Sequence, residues 1–87
     1  MKHRATEEFW RLYDELPARI RATADQNFEL LKSDPSHPSL HFKQVGSLWS
    51  ARVGIAWRAL AAKQHDTFIW FWIGSHADYD KLLKHRD

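Results

Sequence analysis

Arg52 and Arg58 flank Gly54, and a chemistry can be assembled around them. If the turn between them centres on Ile55, they stand opposite each other on one face of a hairpin. Like charges placed directly across a sheet cost stability, so a chain that keeps them together has a use for the pair. Two guanidinium forks can clamp an anion such as an RNA phosphate. The bland alternative is that each pairs with a carboxylate, with Asp66 and Asp78 as candidates, or lays its stem over a tryptophan. His76 follows a strongly apolar segment and falls in the first turn of a candidate helix. A neutral imidazole there is available as a base; its other use is to cap or pack by bonding a nearby carbonyl. RNA cleavage needs a base to activate the 2′-hydroxyl, an acid for the leaving oxygen, and cations facing the charged phosphorane. His76, Arg52 and Arg58 can supply those parts without a metal or any other cofactor.

Lys43 and His41 share the wet face of an expected strand. There they either extend a cationic surface toward an RNA backbone or simply meet solvent. Tyr79 can stack on a base, yet its spacing with Leu82 and Leu83 suits a core residue as well. His37 and His41 have a spacing that would chelate a metal on a helix, but Pro35 and Pro38 forbid one, and no third ligand stands nearby. No Gly-rich phosphate loop, serine nucleophile motif or dinucleotide fingerprint is present.

Elements to position these groups can be read from periodicity. Thr6 suits a helix N-cap, with Glu7 and Glu8 at the positive end of the dipole. Phe9, Leu12, Tyr13 and Leu16 then form one apolar stripe. Pro17 ends that helix and suits the first turn of the next. There Ile20, Ala24, Phe28 and Leu31 share a stripe, and Arg21 and Asp25 form an i, i+4 pair on the wet side. Two helices joined so tightly pack as a hairpin. Beyond Asp34-Pro35-Ser36-His37-Pro38 the pattern turns strand-like. Leu40 and Phe42 alternate with His41 and Lys43; Trp49, Ala51 and Val53 alternate with Ser50 and Arg52. A third strand runs from about Ala56 to Lys63, and a fourth, Thr67 to Ile73, is apolar on both faces. In that fourth strand Phe68, Trp70 and Trp72 are expected to share a face. That row is exposed and sticky if the helices cover the other side. Ser75 reads as an N-cap, with Asp78 and Asp80 near the start of a last helix and Lys81, Lys84, His85 and Arg86 near its end.

The chain has 87 residues, which suits a single domain over 1–87. Twelve aromatic rings, five of them Trp, give a thin core extra buried area. There is no cysteine, so thiol chemistry is excluded and a reducing cytoplasm fits. The start has no apolar run behind its charges, so no signal peptide is expected. No apolar stretch approaches membrane length, so no membrane partner is expected either. A net charge of +2 permits an acidic or nucleic-acid partner without arguing for one.

Three segments carry a resemblance: Asp34 to Lys43; Trp49-Ser50-Ala51-Arg52-Val53-Gly54-Ile55-Ala56-Trp57-Arg58-Ala59-Leu60; and Trp72-Ile73-Gly74-Ser75-His76-Ala77-Asp78-Tyr79. Together they resemble RelE/ParE superfamily toxins of type II toxin–antitoxin modules, over nearly the whole chain. The fold implied is α+β: an N-terminal helical hairpin packed on a three- to four-stranded antiparallel sheet, with a short C-terminal helix. Many members open with an apolar strand, whereas residues 1–6 here are polar and leave that edge of the sheet open. The resemblance implies an mRNA endoribonuclease acting on the ribosome and silenced by a cognate antitoxin, with the histidine at position 76 contributing to cleavage. It also admits a ParE-like inhibitor that binds DNA gyrase and cleaves nothing, or a member that has lost toxicity. ParE-like chains generally lack the cleavage histidine, so His76 favours the ribonuclease.

Overall fold

The computed structural model describes residues 1–84. Along the chain run β1 (Lys2–Ala5), α1 (Glu7–Asp14), α2 (Ala18–Ser33), a 3-10 turn (Pro38–Leu40), β2 (Lys43–Val45), β3 (Leu48–Val53), β4 (Trp57–Gln64), β5 (Thr67–Ser75) and α3 (His76–Lys84). The strands form one sheet in the order β1-β5-β4-β3-β2. Its β2 to β5 part is an antiparallel meander, and β1 lies parallel to β5 at the edge. The α+β arrangement with a leading helical hairpin and a closing short helix is therefore present. His85 and Arg86, expected near the end of the last helix, lie outside the described residues.

Thr6 caps α1 as its sequence suggests, its hydroxyl accepting from the Phe9 amide at 3.1 Å. The Arg21–Asp25 pair does not form. Arg21 instead donates to the Leu16 carbonyl at 2.6 Å, satisfying an orphan acceptor beyond the end of α1. Asp25 accepts from the Tyr13 hydroxyl at 2.7 Å, so both residues tie the two helices together. Ile20 and Leu31 on α2 are buried, whereas Phe28 keeps 39% of its surface exposed.

The polar start does form a strand. Lys2 and Arg4 point out while His3 and Ala5 are half-buried, an alternation masked by the residue types. The His3 ring stacks on Phe68, centroids 5.7 Å apart, and its Nδ1 accepts from the Trp70 indole N–H at 3.1 Å. An imidazole thus serves as a flat packing ring. A second difference lies before β2. Leu40 belongs to the 3-10 turn, and His41 closes that turn with a left-handed backbone (φ 43°), so neither is in the strand. His37 accepts from the Ser39 amide at 3.2 Å, a capping role for a residue that had suggested a ligand.

The sheet separates two cores. Beneath α1 and α2 lie Ala51, Val53, Ala59, Ala61, Phe68, Trp70 and Ile73. On the opposite face Leu48, Leu60 and Trp72 pack with Tyr79 of α3. The row Phe68–Trp70–Trp72 is therefore split, and the cause is a β-bulge. The β4–β5 register runs Leu60↔Trp72 and then Ala61↔Trp70, leaving Phe71 as the extra residue. One inserted residue reverses the in–out phase of everything after it. Phe68 and Trp70 are buried under the helices, and Trp72 turns to the α3 face.

Candidate functional site

The β3–β4 register places Arg52 directly across from Arg58, with Gly54 taking φ +63° in the connecting turn. Cross-strand partners share a face, and the neighbouring pair on that face is Ser50↔Leu60, so both arginines lie on the α3 side of the sheet. Among the described residues, neither forms an ion pair with a carboxylate. The Asp66 and Asp78 pairings are thereby answered. Arg52 is instead held by donating Nε–H to the Gly54 carbonyl at 2.9 Å, while Asn27 of α2 donates its side-chain amide to the Arg52 carbonyl at 3.2 Å. Arg58 lies over the Tyr79 ring, 5.6 Å from its centroid, and its buried Nε has no hydrogen-bond partner among the described residues.

His76 opens α3 immediately after β5. Its amide donates to the Ala56 carbonyl at 2.7 Å, which locks the start of the helix onto the β3–β4 turn. Ser75 caps the helix by accepting from the Asp78 amide at 3.2 Å. The His76 ring lies 5.8 Å from the Tyr79 ring, so one aromatic platform carries Arg58 and His76 together. Its Nδ1 stands 3.2 Å from an Asp80 carboxylate oxygen, one helical turn on.

The outer residues join the same face. Lys43 is exposed on β2 and pairs with Ser50, which puts it on the α3 side. His41 reaches the site from its turn, with Nε2 3.3 Å from an Arg52 Nη1 that donates to it. Tyr79 is only 7% exposed. With its ring beneath Arg58 and beside His76 and Trp72, it is a floor to the site and offers no open surface for stacking a base. Gly74 sits across from Arg58, and a Cβ there would come within 2.6 Å of the Trp72 indole. The glycine therefore lets Trp72 lie flat on the sheet under the site.

Five of the six sequence-derived residues thus form an accessible, cation-rich face, and the sixth supports it. Two members escaped the sequence reading. Asp80 was assigned to the helix dipole, although its i+4 distance from His76 is visible in the chain. Trp72 does not share a face with Phe68 and Trp70 as strict alternation predicts, because the bulge leaves no mark in an all-apolar strand.

On the other side of the sheet, an apolar cleft of about 290 Å³ opens between the helical hairpin and the strands. Phe9, Tyr13, Phe28 and Trp70 line it, and the 51%-exposed Trp10 stands at its margin. Among the described residues no helix is long and apolar enough to cross a membrane.

The backbone resembles several solved toxins. The RelB–RelE antitoxin–toxin complex from Methanococcus jannaschii matches at TM-score 0.71 and 17% identity, over 91% of this chain and 96% of that one. YafQ from E. coli matches at TM-score 0.67 and 14% identity, over 90% and 96%. The toxin–antitoxin complex RelBE2 from Mycobacterium tuberculosis matches at TM-score 0.64 and 24% identity, over 86% and 96%. At such identities the likeness is one of fold. No curated protein matches the chain. The family model of the ParE-like toxin domain, however, matches residues 18–81, which contain every site residue named above, and the chain belongs to that toxin family.

Proposed function

We propose that this chain is an endoribonuclease toxin that cleaves mRNA in the cytoplasm, at the ribosome, and is silenced by a cognate antitoxin. One observation carries the reading: two arginines face each other with no carboxylate partner among the described residues, and Arg58 shares the Tyr79 ring with a histidine fixed at a helix start. A phosphate between Arg52 and Arg58 relieves their repulsion and pairs with both forks. His76 then takes the proton of the adjacent 2′-hydroxyl, and the 2′-oxygen attacks phosphorus. The guanidinium groups meet the charge that grows on the phosphorane. The P–O5′ bond breaks, and the leaving oxygen takes a proton from water. Lys43 extends the cationic rim along the RNA backbone, and His41, neutral while it accepts from Arg52, has Nδ1–H to donate to the same backbone.

Relatives of the same fold are found with RelB antitoxins, and the apolar cleft with Trp10 at its margin supports such a partner here. The family description favours a second reading, a ParE-like inhibitor of DNA gyrase. Induction of the full chain in cells separates them. The ribonuclease reading expects growth arrest with cleaved mRNA, relieved by His76→Ala or by Arg52→Ala in proteins that remain folded. Intact RNA with gyrase-dependent DNA breaks would establish the inhibitor instead.

A further inference from the structure

We infer that Asp80 is a positioning residue that holds His76 in the tautomer whose Nε2 is free to act as a base, a role that rests on the ribonuclease reading. The Asp80 carboxylate faces the ring across 3.2 Å, from Oδ2 to Nδ1. A carboxylate oxygen beside Nδ1 attracts an N–H and repels a lone pair, so the proton is favoured on Nδ1. In the neutral ring the lone pair then lies on Nε2, the nitrogen at the far side of the imidazole. The His76 backbone is already pinned to Ala56, and its ring lies against Tyr79. Two freedoms remain, rotation of the ring and exchange of the proton between its nitrogens, and Asp80 removes both. Its place on the helix suits the task. His76 and Asp80 share one helical face at i, i+4, so the contact forms whenever α3 does.

The pair does little for stability, because its side chains are 45% and 62% exposed and such pairs are screened by water. This separates positioning from a structural role. The test is ring-nitrogen NMR on the full chain in alkaline buffer, where imidazoles are neutral, combined with single-turnover cleavage of a short RNA. The wild-type His76 is expected to show a protonated Nδ1. Asp80→Ala is expected to shift the proton to Nε2, slow the chemical step about tenfold, the low end of what a residue orienting a reactive imidazole contributes, leave KM unchanged, and leave the unfolding midpoint where it was. Asp80→Glu, which can still accept, is expected to restore part of the rate. A wild-type ring protonated on Nε2, or an unchanged tautomer in Asp80→Ala, overturns the inference. Failure of the wild type to cleave RNA overturns the ribonuclease reading separately, because the NMR signal reports the Asp80 contact without any turnover.

Discussion

Replacing Arg58 by methionine is expected to remove activity and at the same time make the protein harder to unfold. Three contributions set the size of the gain. Arg58 buries an Nε–H with no protein partner, and an unsatisfied buried donor costs about 1–3 kcal/mol. Arg58 stands directly opposite Arg52, and a like-charge pair across a sheet costs roughly 0.2–1 kcal/mol. Against these, the guanidinium over the Tyr79 ring contributes about 0.5–1 kcal/mol at a partly exposed site. Methionine keeps most of the apolar stem, so the packing over Tyr79 is retained. The net is a stabilisation of about 1–2 kcal/mol, which for a domain this size raises Tm by roughly 5–15 °C. Urea unfolding at low and at high salt measures it, and the salt dependence isolates the repulsive part, which screening reduces. Arg52→Met is the control. It relieves the same repulsion but gives up bonds to Gly54 and His41, so its gain is smaller. A lower midpoint for Arg58→Met than for wild type would refute the reasoning, because Arg58 would then be a structural residue and not a charge held in place for an anion.

Three further outcomes follow from the same packing. Ser50 is fully buried with a hydroxyl that has no partner among the described residues, so Ser50→Ala is expected to stabilise by about 1 kcal/mol in thermal unfolding. Gly74→Ala drives a methyl into the Trp72 indole at 2.6 Å; overpacking of this kind costs about 1–3 kcal/mol, and Trp72 fluorescence should report the displaced ring. Burial lowers the His3 pKa below its ordinary 6.5, with the N-terminal amine and Lys32 acting in the same direction. The folded state thus prefers neutral His3, so stability is full above that ordinary value and is lost as pH falls toward the depressed one. Urea midpoints of wild type between neutral and mildly acid pH should fall more steeply than those of His3→Phe.

What the sequence made legible, and what it hid, divides along physical lines. The Arg52–Arg58 pairing could be read because a glycine marks the turn and alternation fixes the register on either side. Thr6, Pro17 and Ser75 were equally clear, since caps and helix breakers act through their own backbones. Tertiary context decided the rest. Lys2 to Ala5 carries the strand alternation, but its inward residue is a histidine whose apolarity comes only from Phe68 and Trp70 around it. Leu40 and Phe42 alternate as a strand would, yet Pro38 starts a 3-10 turn and His41 absorbs the strain of ending it. Arg21 and Asp25 had the spacing to pair, but Arg21 bonds the Leu16 carbonyl just past α1 and Asp25 the Tyr13 hydroxyl on α1.

The bulge at Phe71 shows how a single residue builds the site. Upstream of it, β5 points Phe68 and Trp70 at the helices, as a strand buried on that side must. Had the alternation continued, Trp72 would face the helices too, and Ile73 would face α3. The inserted residue reverses both, giving Ile73 to the helix-side core and Trp72 to the other face. Trp72 there packs against Tyr79 and lies across Gly74, whose missing side chain makes the room. Tyr79 in turn lies beneath Arg58 and beside His76. An aromatic floor lies beneath Arg58, opposite an Arg52 that has no carboxylate partner among the described residues. The face proposed to take a phosphate is thus shaped by the irregularity in β5, while the regular part of the same strand holds the fold together.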